Sequence, residues 1–287
     1  MTAVTVDELK ALTDFTAHEV LVAGAIGRAS TSLEGLLRFL VRYASWNGFF
    51  GSGVASLAGK IGRSRGLFRD ADEPLVALAD RSVLVASFIF DAARDEFDDS
   101  ATAHRDTHRD LAQATLRGLI HYGREQFGTG AAMLTDDTLN QRLADPAWLQ
   151  ALGARVAQGY GAFTQDLRET IFTSIGYHLG SELLADREFS LIDTALRETA
   201  SELVEYLLTH QERVGDQTHV AYQWIAIHSG GGGAVEEDHF RLALEGVNFA
   251  FRCVPQPLHD ELRRHLHYGF QNFASDHHQF FTHVNQP

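Results

Sequence analysis

The chain has 287 residues, 45% of them apolar, which allows one large domain or two small ones with a sizeable core. Its 24 Lys and Arg face 38 Asp and Glu, and the net charge of −14 excludes a binder of the phosphate backbone, so no nucleic-acid partner is expected. The one cysteine, Cys253, excludes an intramolecular disulfide and any cysteine-rich metal site, and it fits a reducing cytoplasm.

Only five prolines occur and the apolar runs are long, which favours helices over a loop-rich β fold. Charges interrupt every apolar run before it reaches the length of a membrane span, so no membrane partner is expected. Residues 1–8 hold no basic stretch followed by an apolar one, so no signal peptide is expected.

In chain order, Asp7 to about Ala29 reads as a helix with Leu9, Leu12, Phe15 and Val20 at helical spacing. Thr31 and Ser32 offer caps for a second helix through Leu36, Phe39, Leu40 and Tyr43. Ser45 to Gly59 is rich in Gly, Ser and Ala, the composition of a close helix contact or of a break. Asp72-Glu73-Pro74 has the form of a helix start, leading into an apolar helix that ends near Asp99.

His104 to about Phe127 is the next helix, and 128–163 reads as short helices, a lid or an insertion. Thr164 to Ala185 is a very apolar helix, followed by an amphipathic one from Phe189 to Gln211. Helices at His219 to His228, Val235 to Phe251 and Leu258 to Val284 complete the set. Period-2 alternation is almost absent and no linker divides the chain, so a single all-α domain over 1–287 is expected.

Four places put metal-type ligands on these helices. Glu96 closes the apolar run before Asp98 and Asp99; on its own it reads as a polar helix end. His108 stands at a helix start, with His104 four residues before it on the same face as the alternative. Glu182 lies within the most apolar helix, where a carboxylate is costly unless it is paired or bound to a cation. Glu236 and His239, three apart, share a helix face downstream of His228 and four glycines; alone they read as a solvated surface pair. His, Asp and Glu donors suit iron or manganese and do not exclude zinc.

Asp95-Glu96-Phe97-Asp98, His108-Arg109-Asp110-Leu111, the Gly176 to Glu182 stretch, and His228 with Glu236-x-x-His239-Phe240 follow one another in that order. In this order the chain resembles the haem-oxygenase-like non-haem di-iron oxidases and oxygenases, over roughly residues 35–284. The segment between His228 and Glu236 is longer than that family's usual spacing. The resemblance implies a bundle of about seven core helices and a homodimer. It also implies two iron ions, with Glu96, His108 and a bridging Glu182 on one and His228, Glu236 and His239 on the other. The second would be the more labile.

Dioxygen would then be the co-substrate, and electrons would come from an external donor or from the substrate. The family's reactions include N-oxygenation of amines, oxidative C–C or C–N cleavage of amino acids, and fatty-acid decarboxylation. Few cationic residues stand near the expected ligands in sequence, which disfavours a strongly anionic substrate; among the family's reactions, a small amine or amino-acid-derived substrate in specialised metabolism is expected. Two other readings stay open: a metal-free, thiaminase-like hydrolase on the same scaffold, and a non-catalytic helical small-molecule-binding protein. His265, His267, His277, His278 and His283 read as surface residues, Cys253 as a packing residue, and Trp46, Trp148 and Trp224 as core or pocket wall.

Overall fold

The computed structural model describes residues 3–99, 102, 105–128, 135, 137, 139, 146–185, 187–229 and 235–286. Helices dominate: α1 (Val6–Lys10), α2 (Phe15–Ala29), α3 (Leu33–Asn47), α4 (Phe50–Arg63), α5 (Ser82–Phe97), α6 (His108–Phe127) and α7 (Ala147–Gly159) form the first half. The second half comprises α8 (Arg168–Ala185), α9 (Glu188–Thr199), α10 (Ser201–Thr209), α11 (Gln223–His228), α12 (Val235–Arg252) and α13 (His259–His283). A small antiparallel hairpin, β1 (Gln211–Val214) and β2 (Gln217–Val220), stands between α10 and α11. The all-α class holds, and no helix among the described residues is long and apolar enough to cross a membrane.

The centre of the molecule is the crossing of α8 and α13. α8 is apolar or small on nearly every face, the pattern of a helix buried all round. Gly176 and Gly269 let the two backbones meet: a Cβ at Gly176 would lie 1.9 Å from the Leu266 carbonyl oxygen, and one at Gly269 1.8 Å from that of Thr173. Ile171, Phe172, Ile175 and Leu179 are fully buried around this contact, each worth roughly 1.5–3 kcal/mol of apolar burial.

The connector before the crossing is held by a buried amine. Lys60 of α4 donates to the carbonyls of Gly161 and Thr164, each at 3.1 Å, and to the Thr164 hydroxyl. Burial pulls its amine below the ordinary lysine range, against the pull of Asp166. The connector it anchors turns through Gly161 and Phe163, both at positive φ, and delivers the chain to the start of α8.

Several boundaries differ from the sequence reading. The first helix is two, because Asp14 caps a new start and accepts from Ala17 N at 3.0 Å. Ser32 caps α3 as expected. The composition change at Ser45 to Gly59 marks both a break, at Gly48, and a close contact, where Gly51 and Gly53 admit Glu96 and Tyr160.

The Asp72-Glu73-Pro74 start is not used. Those residues lie in turns, and α5 begins at Ser82, whose N–H and hydroxyl both donate to Asp80. The long helix expected to Gln211 breaks at Ala200, and residues 211–220 turn back as the hairpin through Gly215 at φ 58°. The region read as a lid or insertion lies partly outside the described residues; its described helix, α7, packs on α13.

Candidate metal centre

Four of the expected ligands come together. Glu96 from the last turn of α5, His108 from the first turn of α6, Glu182 from the end of α8 and His228 from the end of α11 all line one cavity of about 570 Å³. His239 of α12 adjoins it, with Nδ1 3.8 Å from Glu182 Oε2. His104 and the side chain of Glu236 lie outside the described residues.

Local chemistry explains the placements. Thr107 caps α6 by accepting from Asp110 N at 3.1 Å, which fixes His108 at the first helical position. The chain reaches that cap through a tight return: Asp99 N–H donates to the Asp106 carbonyl at 3.1 Å, and Asp106 N–H to the Thr102 hydroxyl at 2.7 Å. The return brings Asp99 back onto His108. At Gly51 a Cβ would stand 2.8 Å from Glu96 Cβ, so the glycine lets α5 approach α4 at the cavity wall.

The carboxylates and imidazoles alternate. His108 sits between Glu96 (Nδ1 to Oε2, 3.3 Å) and Asp99 (Nε2 to Oδ2, 3.1 Å). His239 sits between Asp95 (Nε2 to Oδ2, 3.0 Å) and Glu182, and Glu182 also meets His178 Nδ1 at 3.2 Å. Burial alone would raise the Asp95 carboxyl, but the hydrogen bond and charge of His239 outweigh it and hold the group below the usual carboxylate range.

His228 stacks on Phe189 at 4.3 Å between centroids and presents an edge to His108 at 4.4 Å. It therefore stands with His108, whereas the expected ligand set groups it with His239. Its Nδ1 is 2.7 Å from the Trp224 carbonyl, an acceptor only, so Nδ1 carries the hydrogen and the ring's lone pair is at Nε2. A histidine fixed in this way is in the form that binds a metal.

Two donors on one ion at roughly 2.1 Å lie about 3 Å apart when they are cis, and the carboxylate–imidazole separations here run upward from that value, from 3.0 to 3.8 Å. The oxygen and nitrogen donor set suits iron or manganese and does not exclude zinc. The donors are paired rather than closed into triads: among the described residues, three donor atoms lie mutually within 4.8 Å only at His121, His210 and Glu212.

Asp95, Asp99 and His178 were not singled out as ligands from sequence. A signal existed for His178, which is four residues before Glu182 on the same apolar helix. Asp99 gave none, since its contact with His108 depends on the loop return.

The cavity wall is largely aromatic, with Trp46, Phe49, Phe50, Phe189 and Trp224 among its residues. Trp46 and Trp224 are pocket wall, as expected. Arg109 is the one basic side chain other than histidine among the described lining residues, and the sequence argument from scarce cations had missed it. Tyr43 and Glu188 belong to the same lining: Tyr43 donates to Glu188 Oε2 at 2.6 Å, and Glu188 Oε1 meets His277 Nε2, behind it, at 2.7 Å. His277 Nδ1 is 3.2 Å from His18 Nδ1, and His18 Nε2 2.9 Å from the Thr13 hydroxyl. His277, expected at the surface, is thus wholly buried, because its helix turns that face onto α2 and onto Glu188 at the start of α9.

No family model, curated protein or solved structure matches the chain.

Proposed function

We propose that the protein is a non-haem di-iron oxidase or oxygenase of haem-oxygenase-like fold, acting with dioxygen on a small amine or amino-acid-derived substrate. The observation that carries this reading is the convergence of Glu96, His108, Glu182 and His228, from four helices, on one aromatic cavity with His239 beside Glu182. Iron held by these groups, with Glu236, would supply dioxygen activation. The chain's own residues bind and shield. The aromatic wall lines the space around the donors, and Asp99, on Nε2, orients the His108 ring so that Nδ1 faces the Glu96 side, where the ion would sit. The Arg109 guanidinium gives a substrate carboxylate a partner at the rim, which supports an amino-acid-derived substrate over a simple amine.

The thiaminase-like alternative is less well supported. Cys253 is not among the described cavity residues, and burial, with Asp70 nearby, pushes its thiol above the ordinary range. The homodimer and the external electron donor belong to the proposal as well; light scattering checks the first.

The test is anaerobic loading with ferrous iron, metal analysis, and then dioxygen uptake. Two iron per chain are expected, with Glu182→Ala losing at least one and consuming no dioxygen. A protein that binds no iron at any loading, or a Glu182→Ala variant that keeps both ions, would overturn the reading and leave a metal-free binding protein.

A further inference from the structure

A second cluster lies on the hairpin, apart from the cavity. Glu212 is the second residue of β1, a strand of exposed–buried alternation, and it occupies a position facing α6 where an apolar residue would be the usual choice. Its side chain is 6% exposed. Two imidazoles converge on one of its oxygens: His210 Nε2 stands 2.9 Å from Oε1, and His121 Nδ1 hydrogen-bonds to the same atom. The rings meet edge-on, 5.8 Å apart. Three separate elements supply the donors: α6, the residue that closes α10, and β1. All three ligand atoms lie within 4.8 Å of one another.

The surroundings hold this arrangement in place. Tyr206 of α10 stacks on His210 at 4.6 Å and 17°, and its hydroxyl donates to Glu125 at 3.0 Å. Glu125 follows His121 by one turn of α6. The Tyr206 hydroxyl is pushed up to about 12 by burial and by Glu125, so at neutral pH it is a donor that fixes the stack and not an anionic ligand. His121 remains 46% exposed, which leaves solvent access on one side.

We propose that His121, His210 and Glu212 bind a divalent transition-metal ion of the zinc type, with water in the remaining position. Two neutral imidazoles and one carboxylate with an open fourth place form a donor set that zinc takes. The ion would tie the hairpin and the end of α10 to α6. It explains why a buried carboxylate stands in a strand position that packing alone would fill with an apolar side chain. The inference does not rest on the cavity, with which this cluster shares no residue.

The test is zinc titration of metal-stripped protein by calorimetry, with thermal melting at each zinc ratio. Wild type is compared with His121→Ala, His121→Ala/His210→Ala and Glu182→Ala. The His121 and double variants should lose one equivalent, or show its affinity lowered by about a hundredfold or more. They should also lose the zinc-dependent rise in melting temperature. Glu182→Ala should keep that equivalent, which separates this site from the cavity. Cobalt in place of zinc should give a four-coordinate visible spectrum in wild type that is missing from the His121 variant. Because His121 is half-exposed, its alanine variant should fold. Equal zinc stoichiometry and affinity in wild type and the double variant would overturn the proposal, as would a wild type whose only zinc equivalents vanish in Glu182→Ala.

Discussion

Replacing Gly176 by alanine tests whether the backbone crossing of α8 and α13 organises the fold. The new Cβ would stand 1.9 Å from the Leu266 carbonyl oxygen and 2.7 Å from its carbon. That is about 1.5 Å short of van der Waals contact. Neither partner is a side chain that can rotate away, and Gly269 locks the same crossing from the other side, 1.8 Å from the Thr173 carbonyl. Overpacking in a core costs about 1–3 kcal/mol, and a contact between two main chains belongs at the top of that range. Alanine returns about 1 kcal/mol of helix propensity. The net expectation is a loss of about 2 kcal/mol, or roughly 4–8 °C in melting temperature for a domain of this size. Scanning calorimetry and urea unfolding measure it. Gly27→Ala and Gly59→Ala are the controls, because nothing stands within 4 Å of a Cβ at either position. Both should be neutral or stabilising. A Gly176→Ala protein as stable as these controls would refute the reasoning, since the helices would then have room that the structure denies them.

Other outcomes follow from the buried polar groups. His18 has its pKa lowered to about 4 by burial first and then by His277 and His278, with Asp14 opposing. Thr13 and, through His277, Glu188 also face it, and Lys10, Glu19 and Arg187 line the adjoining small cavity. The folded state keeps His18 neutral while the unfolded chain takes up a proton below about 6.5, so stability should fall as pH drops from about 6.5 to 4, by up to about 3 kcal/mol. Urea unfolding of His18→Gln across that window should show a flatter slope; an identical slope would remove His18 as the cause. Tyr43→Phe removes one donor from the buried Glu188 and should cost about 1–2 kcal/mol at neutral pH, read by the same unfolding assay. Lys60→Met leaves the Gly161 and Thr164 carbonyls without their donor and should cost about 2 kcal/mol, with faster amide exchange at 161–168 as the local readout.

Much of the candidate site could be read from the chain because its donors sit on regular helices. Glu182 was informative because a carboxylate within α8 needs a partner whatever it packs against, and the partners proved to be His178 and His239. His108 followed from a helix start, although that start lies at His108 itself, behind the Thr107 cap, and not at His104 as expected. The pieces that could not be read depend on chain returns and on packing between distant elements. Asp99 reaches His108 only because its N–H pairs with the Asp106 carbonyl, and His277 is buried only because α13 presents that face to α2 and to Glu188 at the start of α9. The hairpin strands are four residues each, too short for alternation to register, and their inward position at Glu212 carries a charge that masks the pattern. Pro74 signalled a helix start, but the helix begins eight residues later, where the Asp80 carboxylate accepts from the N–H and hydroxyl of Ser82.

The burial of Lys60 has a practical side. Lysine occurs only twice in the chain, and one of the two is sealed beneath the connector to α8, its amine held by carbonyls. Lys10 is exposed at the end of α1. Among side chains, then, an amine-directed reagent finds a single address on the folded protein. A dye, a surface tether or a cross-linker attached through lysine chemistry will report from the neighbourhood of α1, and a second modified lysine marks a molecule whose α4 contact has opened.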